Sequence, residues 1–194
     1  MSLIVLMGPQ AVGKMTVGRV LEKKIDGKLL FNHQTIDLFA NFLGYTPEAF
    51  RLSDETRLEL FKSFVKGKET NKVKDIIFTV LVDFDSQSDI DFLQSMTDIF
   101  QNAEESVYFI ALSADLAVRL ERNEHEERLL AKPSKRDLDF SKNELITSVT
   151  KHRLNTSQEE LKQLFPDVQS LLIDNTQLSP EDVANKIHAF LIAH

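Results

Sequence analysis

The chain has 194 residues, of which 42% are hydrophobic, and its formal net charge is −7. These values predict one globular domain, and the acidic balance argues against nucleic-acid binding, which needs a basic surface. The absence of cysteine excludes disulfides and thiolate chemistry and is typical of a cytoplasmic protein. The opening apolar run is too short for a signal peptide or a membrane span, so we expect no membrane association.

The first predicted strand, residues 3–7, runs directly into the segment GPQAVGKMT. This segment fits the phosphate-binding pattern G-x-x-x-x-G-K-[ST], except that Met15 stands where a hydroxyl is expected. Glycine lets backbone N–H groups converge on one point, and a helix predicted from Lys14 adds partial positive charge there. Lys14 can then reach the β and γ phosphates of a nucleotide. We therefore predict a nucleotide-phosphate site at Gly8, Pro9, Gln10, Ala11, Val12, Gly13, Lys14, Met15 and Thr16.

A second strand is predicted at 29–31, followed by helices at 35–44 and 46–66. Asp37 comes shortly after this strand, so it is expected at the carboxyl edge of the sheet, beside the phosphate loop. A carboxylate there can accept or orient the proton of a substrate hydroxyl. Alternatively, Asp37 only stabilises the dipole of the first helical turn. His33 is either a substrate-binding residue or a structural hydrogen-bonding group.

The third strand, predicted at 75–83, is apolar and ends in an acidic segment. Asp83 and Asp85 occupy the position from which a Walker B carboxylate holds magnesium through water. An acidic turn that caps the following helix, predicted at 90–103, explains the same residues nearly as well.

A fourth strand at 107–113 and a helix at 114–123 lead into a basic segment of this acidic protein. The basic residues concerned are Arg119, Arg122, Arg128, Lys132, Lys135 and Arg136. Phosphoryl transfer needs cations on the transferring group, and Arg119 and Arg122 share one helical face. The alternative is a solvated helix whose arginines pair with neighbouring glutamates.

The last strand is predicted at 170–176, before a C-terminal helix that begins near Ser179. Strands that alternate with helices indicate βαβ units. We therefore predict an α/β fold, a three-layer α/β/α sandwich around a five-stranded parallel sheet, in one domain spanning 1–194.

Four segments resemble the nucleoside monophosphate kinase and shikimate kinase group of P-loop kinases. They are GPQAVGKMTVG after the first strand, NHQTID at 32–37, AKPSKRD at 131–137 and DNTQLSPEDV at 174–183. More narrowly, the chain is similar to a poorly characterised bacterial branch with a G-P-x-A-V-G-K-M-T loop. The resemblance implies a P-loop NTPase fold, phosphoryl transfer, and ATP and Mg²⁺ as cofactors.

The resemblance also implies roles for individual segments. Adenylate kinases read G-K-G-T in the loop, so Thr16 would bond a phosphate and Mg²⁺ would be held through water. Residues of about 122–139 would form a lid, with catalytic Arg122 and Arg128 and substrate-binding Arg136. A helical insert of about 35–74 would bind the acceptor, and Asn175 would lie in the adenine-binding loop.

Our first hypothesis is an ATP-dependent kinase that phosphorylates a small-molecule acceptor and works as a monomer or homodimer. A GTPase is disfavoured, because NKVKD at 71–75 is longer than N-K-x-D and precedes a strand. A nucleotide-binding regulatory module, or an NTPase with little kinase activity, is the alternative. Six aromatic residues of the insert could stack on an acceptor, although core packing is commoner: Phe39, Phe42, Tyr45, Phe50, Phe61 and Phe64.

Overall fold

The central sheet of the described chain has five parallel strands. The computed structural model describes residues 1–132 and 136–194, with the side chains of Glu127 and Arg128 left out. The strands are β1 (Ser2–Met7), β2 (Gly27–Phe31), β3 (Asp75–Thr79), β4 (Ser106–Ser113) and β5 (Gln169–Asp174). Their order is β2-β3-β1-β4-β5, and every pairing is parallel. The predicted five-stranded parallel sheet is therefore confirmed.

Helices connect the strands and cover both faces of the sheet. They are α1 (Lys14–Leu21), α2 (His33–Leu43), α3 (Pro47–Lys66), α4 (Gln87–Gln101), α5 (Leu116–Asn123), α6 (Glu126–Ala131), α7 (Leu138–Lys151), α8 (Gln158–Leu164) and α9 (Pro180–Ala193). Side-chain oxygens of Thr46, Ser86 and Ser179 accept an amide N–H at the start of α3, α4 and α9. These caps satisfy backbone donors that have no partner within the helix.

Strand β1 lies in the middle of the sheet, and all six of its residues are buried. Successive side chains of a strand point to opposite faces. Accordingly, Leu3 and Val5 pack in one apolar cluster with residues of α3, α4 and α8, while Ile4 and Leu6 pack in another with residues of α1 and α9. This arrangement confirms the predicted three-layer α/β/α sandwich.

Several element boundaries differ from the sequence-based prediction. Strand β3 ends at Thr79 rather than at residue 83, although Val80 and Val82 stay buried. The apolar run at 75–83 therefore indicates burial, which continues beyond the last residue that pairs in the strand. Helix α2 begins at His33, two residues earlier than predicted, and α6 lies in a segment for which no helix was predicted.

The aromatic residues of α3 divide between the core and the surface. Phe61 is fully buried and packs edge-on against Phe78 and Phe100, with ring centroids 5.5 and 6.0 Å apart. Phe50, by contrast, leaves 42% of its surface exposed.

None of the described helices combines the length and the apolar character needed to cross a membrane.

Candidate functional site

The loop between β1 and α1 has the backbone shape of a phosphate cradle. Gly8, Ala11 and Gly13 adopt positive φ angles of 136°, 58° and 104°. A Cβ atom on Gly8 would lie 2.2 Å from the carbonyl oxygen of Leu112 in β4, so no larger residue fits without a backbone shift. Positive φ angles at these three positions curl the loop back over the start of α1, and backbone N–H groups of such a loop at a helix N-terminus suit an anion.

Lys14 begins α1 and folds back over this loop. Its Nζ donates hydrogen bonds to the carbonyl of Gly8 and, at 2.9 Å, to the carbonyl of Pro9. The ammonium is therefore held at the mouth of the cradle, where a phosphate oxygen could replace a carbonyl as its partner.

The two residues after Lys14 have different surroundings. Met15 is 7% exposed and packs in the apolar cluster that contains Val12 and Val17. Thr16 is half-buried and lines the cavity in front of the loop. Within residues 1–132 and 136–194, no group of three or more histidine, cysteine or acidic residues could hold a metal ion. The donor set therefore fits a Mg²⁺ ion that arrives on nucleotide phosphates and keeps its waters, rather than an all-protein cage.

Two arginines of α5 brace the loop from behind. Arg119 is 4% exposed, and its Nε donates to the carbonyl of Gln10 at 2.9 Å. Arg122 Nη1 donates to the carbonyl of Val12 at 3.3 Å and to Asn175 Oδ1 at 3.1 Å. Asn175 Nδ2 in turn donates to the Val12 carbonyl at 2.8 Å. The structure therefore brings together the loop, both arginines and Asn175.

The side chain of Arg119 is incompletely satisfied. Its Nη2 atom is buried without a hydrogen-bond partner among the described residues, and burial lowers the pKa of the guanidinium. Arg122, in contrast, lines the cavity. A direct contact with a nucleotide is therefore easier for Arg122 than for Arg119.

Helix α7 also contacts the loop, which the sequence interpretation did not anticipate. Ser148 Oγ donates to Gln10 Oε1 at 2.9 Å, and Ser141 Oγ donates to Asn123 Oδ1 of α5 at 3.1 Å. Both serines are buried on one face of α7, together with Leu145. Their spacing of three and four residues was the signal that could have revealed this contact face.

One continuous cavity of about 880 Å³ extends from the phosphate loop to α2 and α3. Residues 10–17 of the loop and of α1 line one part of it. Further lining residues come from the elements around the loop: Asn32, His33, Ile36, Tyr45, Phe50, Thr79, Leu81, Arg122, His125, Glu126, Lys132, Phe140, Glu144, Asn175, Leu178 and Pro180. The volume is in the range of small-molecule sites.

Asp37 lies one helical turn beyond His33, just behind the cavity wall. Its Oδ1 pairs with His33 Nδ1 at 3.0 Å and accepts the Tyr45 hydroxyl at 2.9 Å. Burial by itself would raise the pKa of Asp37, but His33, Tyr45 and the charge of Lys132 together lower it. The carboxylate is therefore ionised at neutral pH, and both of its hydrogen-bonded neighbours line the cavity.

A buried arginine of α3, which the sequence interpretation missed, supports this wall. Arg57 is 3% exposed and donates to Thr35 Oγ1 at 2.8 Å, to the carbonyl of Asn32 at 2.7 Å and to Asp54 Oδ1 at 2.6 Å. Burial, only partly opposed by the charge and hydrogen bond of Asp54, lowers its pKa to about 10. Because Arg57 precedes Phe61 by one helical turn, its position on the apolar face was the available signal.

The acidic residues Asp83 and Asp85, which follow β3, lie away from the cavity. Asp83 Oδ1 accepts the amides of Asp85 and Arg153, each at 3.1 Å, and Oδ2 pairs with His152 Nδ1 at 2.7 Å. Asp85 pairs with Arg153 at 2.8 Å. Neither carboxylate lines the cavity, so the structure does not bring the suggested magnesium-binding residue Asp83 to the phosphate loop.

The other basic residues of the predicted lid do not share one position in the structure, and Lys135 lies outside the described residues. Arg136 Nε donates to the carbonyl of Leu129 at 3.1 Å, and the residue is not among those that line the cavity. The predicted role of Arg128 concerns a side chain outside the described part of the chain. Lys132, however, lines the cavity and lies near enough to Asp37 to affect its pKa.

No protein-family model matches the chain, and no curated protein matches it. Several solved structures match it in fold. They include a shikimate kinase from Acinetobacter baumannii in complex with shikimate, with 18% identity, coverage of 99% of this chain and 93% of that chain, and a TM-score of 0.56. A gluconokinase from Sinorhizobium meliloti has 13% identity, coverage of 99% and 92%, and a TM-score of 0.54. The tunicamycin resistance protein of Deinococcus radiodurans has 18% identity, coverage of 98% and 95%, and a TM-score of 0.56.

At these identities the likeness shows the fold alone. It extends over nearly the whole length of this chain and of its neighbours, so it includes the sheet, the loop and the helices around the cavity. The chain therefore shares the α/β fold of these neighbours, as predicted.

Proposed function

We propose that the protein is an ATP-dependent phosphotransferase that moves the γ-phosphate of ATP to a hydroxyl or phosphate group of a small molecule. The observation that carries this proposal is the single cavity that joins the cradle around Lys14 to the wall around Asp37. A kinase needs these two sites side by side, because phosphoryl transfer depends on positioning two reactants. The kinase fold of the similar structures supports the same class of reaction.

The chain's own residues would position and neutralise the phosphates. Backbone N–H groups of the loop would bind phosphate oxygens, and Lys14 would exchange its carbonyl partners for the β and γ phosphates. Arg122 would add a second cation beside the loop. When bound, Mg²⁺ would neutralise charge on the nucleotide phosphates. The Thr16 hydroxyl, which lines the cavity next to Met15, would bond to a phosphate oxygen.

Asp37 and His33 would orient the acceptor. The lowered pKa of Asp37 keeps it ionised, which suits a group that accepts a hydrogen bond from the attacking hydroxyl. Early proton removal is not required, since the transition state of phosphoryl transfer is loose. His33 lines the cavity and would hold Asp37 in place.

Two observations favour the alternative, a nucleotide-binding module with little or no kinase activity. Met15 offers no oxygen to a metal, and Asp83 is engaged with His152 and Arg153 instead of facing the loop. A module of this kind would bind ATP without transferring phosphate to any metabolite.

The decisive measurement is ADP release from ATP in the presence of a metabolite library. We expect slow release without metabolites and faster release with one chemical class of acceptor. Lys14→Ala should lower the stimulated rate by at least about 100-fold, since it removes a charge from the transferring group. Lys62→Ala, which changes an exposed lysine paired with Glu59 on α3, is the matched control and should keep the wild-type rate. Equal rates in wild type and Lys14→Ala would refute the proposal.

A further inference from the structure

Gln10, the third residue of the phosphate loop, is held by two helices, one through its backbone and the other through its side chain. Arg119 Nε of α5 donates to the Gln10 carbonyl at 2.9 Å, and Ser148 Oγ of α7 lies 2.9 Å from Gln10 Oε1. Arg119 and Ser148 are both buried. Gln10 itself is half-buried and lines the cavity. Its side chain therefore lies at the cavity in a position set by a buried residue of α7.

The hydroxyl of Ser148 has one proton but approaches two acceptors. Its Oγ lies 2.9 Å from Gln10 Oε1 and 2.8 Å from the carbonyl oxygen of Leu145. The Leu145 carbonyl already accepts an amide N–H one turn further along α7, as in any regular helix. Gln10 Oε1, in contrast, has no other donor within residues 1–132 and 136–194. A proton gains more at an acceptor that lacks another donor, so we assign it to Gln10.

This hydrogen bond determines which atom of the Gln10 amide is left for a ligand. Once Oε1 accepts from Ser148, the remaining polar atom of the side chain is Nε2, which carries two N–H groups. In the part of the chain that the structure describes, Nε2 donates to no group, and it is not a buried atom. Since Gln10 lines the cavity, its side chain offers a hydrogen-bond donor there, which suits an anion.

Gln10 lies at the end of the loop where the ammonium of Lys14 is held. Lys14 Nζ donates to the carbonyls of Gly8 and, at 2.9 Å, of Pro9, and Pro9 is covalently joined to Gln10. In a loop of this pattern the lysine reaches the β and γ phosphates, whereas backbone N–H groups hold the α and β phosphates. The Gln10 side chain is therefore close to the position expected for the γ-phosphate.

We propose that Gln10 binds the γ-phosphate of ATP through Nε2, and that Ser148 is the positioning residue that turns Nε2 toward it. This inference rests on the proposed kinase function. A donor at this place acts on ATP and not on ADP, because only ATP has a γ-phosphate. A hydrogen bond to an anion is also stronger than one between neutral groups, so Gln10 makes the site prefer ATP to ADP.

The test compares ADP with the β,γ-imido analogue of ATP, which carries a γ-phosphate and resists hydrolysis. Titration calorimetry in the presence of Mg²⁺ gives both dissociation constants for each variant. Gln10→Ala should weaken binding of the analogue by about tenfold, because it removes a hydrogen bond to a charged group, and should leave ADP within about twofold. Ser148→Ala should weaken the analogue by about three- to tenfold, because the amide is no longer held in place. The double variant should lose no more than Gln10→Ala does, since Ser148 then has no amide to position.

Two further variants separate this role from a purely structural one. Gln10→Glu keeps an oxygen for the Ser148 proton but replaces Nε2 with an oxygen that repels phosphate, so it should weaken the analogue more than Gln10→Ala does. If Gln10 only held α7, this variant would bind both nucleotides as wild type does. Ser141→Ala is the matched control, because Ser141 is buried on the same face of α7 but donates to Asn123 instead of the loop. It should keep the wild-type ratio of the two dissociation constants.

The outcomes separate this inference from the proposed function. Equal losses for ADP and the analogue in Gln10→Ala, wild-type binding by Gln10→Glu, or additive losses in the double variant would overturn the inference. Melting temperatures check that every variant folds. If wild type binds neither nucleotide, the proposed function fails and this inference fails with it. If wild type binds both and the Gln10 and Ser148 variants bind them equally well, only the roles of these two residues are wrong.

Discussion

At the residue scale, the loop places two chemically different side chains directly after Lys14. Both line the cavity, but Met15 is 7% exposed and packs in the apolar cluster with Val12 and Val17, whereas Thr16 is half-buried. Only Thr16 has a hydroxyl that could bond to a phosphate. The effect of having Met15 in place of a hydroxyl residue can therefore be measured with variants at the two positions.

We expect Met15→Thr to change turnover by less than about tenfold, or 1.4 kcal/mol in the barrier, and Thr16→Val to lower it more. Met15→Thr should also destabilise the fold by about 1–3 kcal/mol, because it leaves a void and a hydroxyl in the core. Turnover is therefore measured well below the melting temperature of each variant. If Met15→Thr is the more damaging change to catalysis, the two positions have the opposite roles.

Asp37 is the second residue whose role can be isolated. Asp37→Asn should keep ATP affinity near wild type and lower turnover by roughly 10² to 10⁴, the range of a group that handles a substrate proton. Because the pKa of Asp37 is lowered, the acidic limb of the activity profile should lie below the ordinary pKa of an aspartate in the wild type. Tyr45→Phe, which removes one hydrogen bond to Asp37, should move this limb upward. Full activity of Asp37→Asn with a slightly lower melting temperature would show a purely structural role.

At the scale of elements, Arg57 connects α3 to α2 and to the end of β2. It reaches Thr35 within α2 and the carbonyl of Asn32 before it, and its guanidinium lies 5.5 Å from the centre of the Phe78 ring. A buried cation of this kind is stable only while its partners satisfy it. The position of the cavity wall at Asn32, His33 and Ile36 therefore depends on a residue that does not line the cavity.

Arg57→Ala should destabilise the protein by about 2–4 kcal/mol, because the buried acceptors on Thr35 and Asn32 each lose one of their donors and packing is lost. Urea denaturation measures this change. The matched control is Arg51→Ala, since Arg51 is exposed on the same helix and pairs only with Glu48 and Glu55 among the described residues. A control variant as unstable as Arg57→Ala would contradict the explanation.

At the scale of the whole molecule, the acidic turn after β3 holds the end of α7. Asp83 pairs with His152 and with the amide of Arg153, whose side chain also reaches Asp85 and Glu160. Since α7 contacts the phosphate loop through Ser148, this turn is joined to the site through the helix. The acidic residues support the site from a distance.

The stability of this connection should depend on pH. Burial by itself would raise the pKa of Asp83, but hydrogen bonds from His152, Asp85 and Arg153 together lower it below its ordinary value. A lowered pKa in the folded state gives stability that is present above the unfolded pKa, near 4, and is lost as the pH falls through the folded pKa. Asp83→Asn should therefore lower the melting temperature at pH 7 and lower it by less near pH 3. An equal difference at both pH values would contradict this assignment.

The sequence alone was sufficient to predict the class of fold and the phosphate loop. Apolar runs that alternate with amphipathic stretches predicted the parallel sheet, because a strand buried on both faces has a nearly continuous run of apolar residues. The spacing of Gly8, Gly13 and Lys14 predicted the cradle, because its shape depends on backbone angles of neighbouring residues. Both features depend on residues close together in the chain, so they can be recognised in the sequence.

Only the tertiary structure decided which side chains meet. Asp83 and His152 are 69 positions apart, and their pairing depends on how β3 and α7 pack, which no local pattern records. The same holds for Arg57, whose partners lie on another helix, and for the division of the aromatic residues between Phe61 in the core and Phe50 at the cavity. Local periodicity sets the face on which a residue lies; what that face contacts is set by the packing of all elements together.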